Sequence, residues 1–460
     1  MNQISNLAAR DAEDVLHPMA LLGKLKSEPP MMIQRGEGIR VFDDGGNSYI
    51  DGLSGLWCTS LGYSNDEIAE AAYEQLRQLP YAHLFLDKSH GMAALLAEKL
   101  KAMVPGGFSK VFFGLSGSDA NDTQIKLARY YFAATGRPEK TKVLSRARGY
   151  HGSTFMTAAT TGLAPFHTGF GLPTEGFLKT GCPHPYRHAH PGESDDAFID
   201  RLVTELEDLI LAQGPETIAI FFAEPVMAAG GVIVPPVGYF SKIQEVLRKY
   251  DILFAADEVV TGFGRTGNPF GMQTVGAKPD TVTLAKSLTG AFLPLSAVMV
   301  PEFMFEAMAA KTSEWGVFGH GFTYSGHPVS CAVGLKVLEI YEREDVFAKA
   351  AKIGERMQAH LRAFADHPLV GEARGVGMIG AAELVADKAT GRAFAPTDGV
   401  GKYCLARARE NGLICRAIGD SMALCPPLVT TEAEIDEIFA IYQKSLDQTL
   451  DWVTRERVGA

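Results

Sequence analysis

The sequence predicts an α/β protein: a mostly parallel sheet covered by helices on both faces, followed by a second, smaller α/β domain. Three observations lead there. Between about residues 90 and 300, short apolar runs alternate with segments of helical spacing. The alternation returns on a smaller scale after residue 330. The chain is 460 residues long, 46% apolar and 21% charged, enough to bury a large core and unlike a disordered chain.

The elements follow in order. Residues 1–35 read as a mixed leader. Residues 38–52 read as a β-hairpin, because Asp43-Asp44-Gly45-Gly46 separates two β-rich runs. Asp66–Gln78 has helical spacing through Ile68, Ala71, Ala72 and Leu76. Lys110–Phe113 reads as a strand and Ala120–Thr135 as a helix. Val143-Leu144, Ile218–Ala223, Ile252–Ala256 and Thr281–Ala285 read as strands, with a helix over Tyr239–Tyr250. Two helices follow at Val329–Glu342 and Val346–Asp366, then a Gly-rich strand, Gly375–Glu383. A helix at Val400–Asn411, a strand at Leu413–Arg416 and a helix from Glu432 to about Asp451 complete the chain. Met304 and Met308 fit core or interface packing.

The net charge is −11, from 43 basic and 54 acidic residues. That balance argues against nucleic-acid binding, which depends on neutralising phosphates. Cys58, Cys182, Cys331, Cys404, Cys415 and Cys425 are scattered and form no C-x-x-C pair, so reduced thiols in a cytoplasm are expected. The N-terminus carries Asp11, Glu13 and Asp14 and lacks the basic-then-apolar pattern of a signal peptide. The longest apolar stretch, 218–240, contains Glu224, Pro225, Gly230, Gly231, Pro235 and Pro236. It reads as a strand and loop, and no membrane span is expected.

In a parallel sheet, ligands sit beyond the carboxyl ends of the strands. Four features fall there. Phe112–Asp122 (FFGLSGSDAND) ends a strand, turns at Gly114–Gly117 and opens a helix near Ser118. Free N–H groups at a helix start favour an anion, although Ser118 taken alone would fit an ordinary helix cap. Asp257 ends a buried strand, where a carboxylate needs a partner such as a protonated heterocyclic nitrogen or a basic side chain. Lys286 follows the next strand among small residues, and burial there would free its amine for Schiff-base chemistry. Tyr150, in GYHG, could stack on a flat ring or simply pack in the core. Phosphate cradle, carboxylate, amine and stacking ring form the set that pyridoxal phosphate requires.

The segments DEVVTGFGRTG, LAKSLTGAFLPLSA, FFGLSGSDAND, GYHGST and HGFTYSGHPVSCA resemble the class III aminotransferases, over about residues 15 to 455. The resemblance implies a fold-type-I pyridoxal-phosphate transferase with a seven-stranded sheet in its large domain. Residues 1–60 would belong to the small domain, 61–328 would form the large cofactor-binding domain, and 329–460 the C-terminal small domain. Lys286 would carry the cofactor, Asp257 pair with its ring nitrogen, and Val259 and Tyr150 cover the two ring faces. Gly117 and Ser118 would hold the phosphate, and Thr323 would reach the phosphate of a neighbouring subunit. The expected assembly is a homodimer with shared active sites, with pairing into tetramers left open. The expected reaction is a ping-pong transfer with Lys286 moving a proton.

Within the family the sequence is most similar to the ω-amino acid:pyruvate and (S)-amine:pyruvate transaminases. Trp57 matches an aromatic wall of their pocket, Phe85 an aromatic from the other subunit, and Arg416 the residue that clamps a carboxylate. Ornithine- and γ-aminobutyrate-type members carry a glutamate five residues after the Glu of Glu-Pro; here Glu224-Pro225 is followed by Ala229 in that place. This favours hydrophobic amines or ω-amines with pyruvate over ornithine or 2-oxoglutarate. Glu224 is placed near the site with no firm role. A γ-aminobutyrate-, β-alanine- or taurine-type aminotransferase, a decarboxylating relative and a catalytically silent homologue are the competing readings. Cys182, His184, His188 and His190 cluster in GCPHPYRHAH, but their spacing matches no standard ligand pattern, and no metal is expected.

Overall fold

The computed structural model describes residues 4–456, 458 and 459. Strands β1 (Ile33–Glu37), β2 (Arg40–Asp43) and β3 (Ser48–Asp51) form an antiparallel meander. The predicted hairpin turn is tied by Asp43 Oδ1, which accepts from the Gly45 and Asn47 amides at 3.0 and 2.8 Å. β1 lies in the stretch read as leader. It is an exposed strand without apolar alternation, so the period-2 signal is missing.

The central sheet has seven strands: β4 (Phe108–Gly114), β5 (Lys142–Arg146), β6 (Phe177–Thr180), β7 (Ile218–Ala223), β8 (Leu253–Asp257), β9 (Thr281–Leu284) and β10 (Ser296–Pro301). Their order is β4-β10-β9-β8-β7-β5-β6, parallel throughout except β10, which runs antiparallel to both neighbours. β7, β8, β9 and β10 are buried along their whole length, as expected of strands covered on both faces. Sequence reading missed β6, a half-buried edge strand, and β10, which is bracketed by Pro294 and Pro301. Met304 and Met308 are buried beside β10, in the core over one sheet face.

A second sheet holds β11 (Val370–Val376) and β12 (Ile379–Leu384). β13 (Leu413–Ile414) instead runs parallel to β3. β14 (Arg416–Ile418) and β15 (Ser421–Leu424) complete the second sheet in the order β11-β12-β15-β14. Two expectations are corrected. The predicted strand Gly375–Glu383 is a hairpin that turns at Gly377, whose φ of +55° suits glycine. The predicted strand Leu413–Arg416 breaks at Cys415, so Arg416 starts a strand in a different sheet from Leu413.

The helices Asp66–Gln78, Pro328–Arg343, Val346–Ala363, Val400–Glu410 and Glu432–Glu456 lie where the spacing placed them. Gly91–Met103, Asp195–Gln213 and Glu302–Trp315 are further long helices. None of the described helices is long and apolar enough to cross a membrane.

The β11–β12 turn is set against the loop that follows β8. Arg265 is fully buried there and donates to the carbonyls of Met378 and Pro426 at 3.1 and 2.6 Å. A Cβ on Gly377 would stand 2.4 Å from the Thr266 carbonyl carbon and 2.6 Å from the Gly267 amide nitrogen. Gly377→Ala therefore combines a left-handed backbone with a clash against rigid main chain. We expect it to cost about 2 kcal/mol or more in denaturant unfolding, whereas Gly399→Ala, also at positive φ but with open space around it, should cost less.

Candidate functional site

The site is built at the carboxyl ends of β4, β5, β7, β8 and β9. The helix Gly117–Ala134 opens directly after the β4 turn. Its cap is Ser116, whose Oγ accepts from the Asp119 amide while Asp119 accepts from the Leu115 and Ser116 amides. The ordinary capping role considered for Ser118 thus falls to Ser116. That leaves the Ser118 hydroxyl, at the second helical position, to accept from the Ser153 amide at 3.2 Å.

Gly117 lies against Val259: a Cβ there would stand 2.9 Å from Val259 Cγ2. A Cβ on Gly152 would stand 2.8 Å from the Ser118 hydroxyl. Both glycines thus keep side chains out of a narrow space between the helix start, the turn after β5 and the loop after β8.

Asp257 ends β8 and is buried. Its Oδ2 accepts from Asn121 Nδ2 at 2.8 Å and faces His151 Nδ1 at 2.9 Å. Its Oδ1 accepts from the Val259 amide at 3.1 Å. Glu224, after β7, is buried as well; it accepts from the amides of Tyr150 and Ala228 at 2.9 and 3.1 Å. Burial pushes its carboxyl above the usual range, and the nearby His151 works against that shift. The Tyr150 ring packs 5.0 Å, centroid to centroid, from Phe166.

Lys286 follows β9 at the start of a short 3-10 turn, with φ +49°. It is half-buried, and its amine makes no hydrogen bond or ion pair among the described residues. Burial pulls its pKa below the usual lysine value, while Cys58, Asp257 and Glu224 pull it back up. Trp57 and Arg148 also adopt left-handed backbone, at φ +64° and +67°. Such residues cost about 1–3 kcal/mol each and persist only where the surroundings hold them.

Trp57 is buried in a cluster with Val226, Ala228 and Val232, on the loop that carries half-buried Ala229. That loop is held by two arginines: Arg148 donates to the Gly230 carbonyl and Arg374 to the Gly231 carbonyl. Arg416 is partly buried, makes no ion pair among the described residues, and lies within electrostatic reach of Tyr150. Its burial lowers its pKa.

Two predicted residues lie apart from this group. Thr323 is exposed, with its carbonyl accepting from the Tyr81 hydroxyl at 2.8 Å. Phe85 is 42% exposed and packs beside Gly321. Both belong to one surface ridge. The ridge is anchored by His320, which stacks on Phe112 at 5.0 Å. The Lys126 ammonium can only donate, so His320 Nδ1 accepts from it at 2.8 Å, and Nε2 then donates to Thr123 Oγ1 at 2.9 Å.

Of the GCPHPYRHAH cluster, His184 approaches Glu372 and Glu383, with ligand-type atoms within 4.8 Å of one another. These carboxylates already face cations. Arg374 Nη1 binds Glu372 at 2.6 Å and Glu383 at 2.5 Å, and Arg187 binds Glu383. The group is an ion-pair network joining the segment after β6 to β11 and β12. Sequence reading also missed Asn121 and His151. Both lie inside quoted motifs: Asn121 is one helical turn beyond Gly117, and His151 adjoins Tyr150.

The family model described as "Aminotransferase class-III" matches residues 23–446. A solved omega transaminase of Pseudomonas jessenii in complex with PMP is 48% identical, covering 97% of this chain and 99% of its own, with a TM-score of 0.96. A thermostable omega transaminase variant engineered for synthesis of bulky amines matches equally well, at a TM-score of 0.96 and 48% identity over 97% of this chain and all of its own. Among curated proteins, γ-aminobutyrate transaminase 1 of Solanum lycopersicum is 46% identical, covering 95% of this chain and 85% of its own. A diaminobutyrate–2-oxoglutarate transaminase of Halomonas elongata is 46% identical over 93% of this chain and 92% of its own.

The His320 anchor has a pH dependence with a definite sign. Burial and the Lys126 ammonium lower its pKa from 6.5 to about 4, so the folded ring stays neutral where an unfolded one protonates. Its contribution to stability is full above pH 6.5 and is lost as the pH falls toward 4. The hydrogen-exchange protection of residues 317–326, taken relative to an unstructured chain at the same pH, should fall over that window, and His320→Gln should remove the pH-dependent part.

Proposed function

The chain belongs to the class III aminotransferases and is a pyridoxal-phosphate-dependent transaminase; from that premise we propose that it moves an amino group from an ω-amino acid or primary amine to pyruvate. The cleft suits the cofactor. Gly117 and Gly152 let the main chain pack close against Val259 and Ser118, where a Cβ would clash, beside a helix start able to hold a phosphate. Asp257 offers a buried carboxylate, and Lys286 an amine without a partner among the described residues.

When bound, the cofactor supplies an aldehyde that takes up the amino group and a ring that withdraws electrons from the substrate carbon. The remaining work falls to this chain. Gly117 and Ser118 would hold the phosphate, Val259 and Tyr150 would flank the ring, and Asp257 would keep its nitrogen protonated. Partial burial lets Lys286 release its proton more readily than an exposed lysine, so its amine would hold the cofactor and would carry a proton to and from the substrate carbon. The ketone or aldehyde left from the donor departs before the keto acid binds, which gives ping-pong kinetics.

The observation that carries the acceptor reading is the pairing of Ala229 with Arg416. No acidic side chain at 229 neutralises the guanidinium, and Arg416 makes no ion pair among the described residues. It is free to clamp the carboxylate of a small keto acid. Trp57 and Phe85 add apolar walls. The engineered neighbour carries substitutions of a tryptophan, a phenylalanine and an arginine, the three residue types that Trp57, Phe85 and Arg416 supply here. The curated relatives support a second reading, a γ-aminobutyrate- or diaminobutyrate-type donor with 2-oxoglutarate as acceptor.

The exposed ridge of Tyr81, Phe85, Leu86 and Tyr324 supports a homodimer in which Phe85 and Thr323 complete the neighbour's site. The scattered thiols and the lack of a membrane-crossing helix among the described residues fit a cytoplasmic protein.

Lys286→Ala should abolish transamination, and borohydride should fix the cofactor on Lys286 alone in the parent protein. Arg416→Leu should raise KM for pyruvate about tenfold to a hundredfold, the loss of a charge-assisted hydrogen-bond pair, while leaving turnover of a carboxylate-free amine in the first half-reaction near its starting value. A donor panel run with both acceptors decides the substrate. Activity with carboxylate-free amines and pyruvate supports the proposal. Exclusive use of diaminobutyrate or γ-aminobutyrate with 2-oxoglutarate replaces it with the second reading.

A further inference from the structure

The carboxylate of Asp257 has a filled side and an open side. A carboxylate offers about four acceptor positions. Asn121 Nδ2 and His151 Nδ1 lie against Oδ2, at 2.8 and 2.9 Å. The Val259 amide takes one position on Oδ1 at 3.1 Å. One lone pair of Oδ1 is left.

The two groups behind Oδ2 are themselves fixed. Asn121 is 1% exposed and spends both amide hydrogens, one on Asp257 and one on the His151 carbonyl at 2.8 Å. Its Oδ1 accepts from Thr283 Oγ1 at 2.7 Å, and Thr283 Oγ1 accepts from Gln124 Nε2 at 3.1 Å. A flipped amide would set its oxygen against the Asp257 carboxylate and the His151 carbonyl, acceptor against acceptor, so the network dictates the orientation of Asn121. His151 is 2% exposed. Its Nδ1 faces an ionised oxygen and must carry the hydrogen, and its buried Nε2 has no partner. A Cβ on Gly149 would stand 3.2 Å from that nitrogen and 3.8 Å from Glu224 Oε1. The helix Gly117–Ala134 and the turn after β5 thus meet at one carboxylate oxygen of β8, with β9 bracing the helix residue through Thr283.

We propose that Asn121 and His151 are positioning residues for Asp257: they occupy Oδ2 from behind and leave the open lone pair of Oδ1 as the acceptor for the cofactor's ring N–H. The proposal rests on the reading of Asp257 as the ring-nitrogen partner. Rotation of the carboxylate would break two buried hydrogen bonds at once, so the open position is held before the cofactor arrives. The other ionisable groups in electrostatic reach of Asp257 are Tyr150, Glu224, Glu258 and Lys286.

The test uses the full-length protein, stripped of cofactor and reloaded with pyridoxal phosphate labelled with nitrogen-15 in the ring. Two quantities are read: the dissociation constant of the cofactor, and the pH at which the ring nitrogen loses its proton, from its chemical shift. His151→Ala and Asn121→Ala should each weaken cofactor binding about tenfold or more, as loss of an outer supporting partner does elsewhere. Each should also lower the ring-nitrogen titration by about one pH unit, the scale of one supporting interaction. His151→Asn, whose amide can stand in for Nδ1–H, should restore most of both. Thr283→Val, which breaks only the outer link, should shift the titration the same way by less.

Asp257→Ala separates the two levels. If it leaves binding and ring protonation unchanged, the reading of Asp257 itself fails. If it collapses both while His151→Ala and Asn121→Ala match the parent protein, the positioning proposal is overturned. Should the alanine variants fail to fold by circular dichroism, His151→Asn and Thr283→Val decide. A lowered titration in Thr283→Val, with His151→Asn near the parent value, supports the proposal; an unmoved titration in Thr283→Val overturns it.

Discussion

A carboxylate at the end of a buried strand is the constraint around which this molecule is organised. β8 is buried along its length and ends in Asp257. Left alone there, the charge would be expelled or neutralised at a cost of several kcal/mol. The fold answers it with an asparagine from the first helix after β4, a histidine from the turn after β5 and a main-chain amide from its own loop. The two side-chain donors come from segments far from Asp257 in the chain. The strand order β9-β8-β7-β5 brings them together, so the sheet topology and the local electrostatics are parts of one solution.

The second sheet is pressed against this centre by charge as well as by apolar packing. Arg374 spans from Glu372 and Glu383 to the Gly231 carbonyl, and Arg148 holds the neighbouring Gly230 carbonyl. The loop that carries Ala229 is therefore clamped from two sides. Left-handed backbone at Trp57, Arg148 and Lys286 lies around the same cleft. Strain of that kind survives only where neighbouring structure dictates the conformation, and here Trp57 is wedged into a buried cluster while Arg148 is tied through its guanidinium.

On the substrate side, the site is defined as much by what is missing as by what is present. A partly buried guanidinium without a protein carboxylate is an unfinished ion pair, and Arg416 is one among the described residues. On the proposed reading, an incoming carboxylate would complete it. On that reading, the choice between a three-carbon and a five-carbon keto acid would depend on the room near Ala229. There the kinship with omega transaminases and with γ-aminobutyrate and diaminobutyrate transaminases points in two directions.

The sequence by itself determined the α/β class, most of the buried strands, the order of the site segments and the reaction family. The first three follow from short-range signals: apolar runs of strand length, Gly-rich turns after them, and reactive side chains at the turns; the reaction family follows from the resemblance of those motifs to the class III aminotransferases. It also placed the helix Asp66–Gln78 to the residue. Exposed β1 and proline-bracketed β10 were invisible because burial pattern and proline statistics argued against strands. The break at Cys415, which sends Leu413 to one sheet and Arg416 to another, has no local signature, because strand partners are chosen by distant residues. Only the tertiary structure decided that Ser116 caps the helix and frees Ser118. Only it showed that the histidine-rich segment spends His184 and Arg187 on ion pairs, and that Asn121 and His151 converge on one oxygen of Asp257. Hydrogen-bond partners are set by packing in three dimensions, and sequence spacing records only which residues are available to be packed.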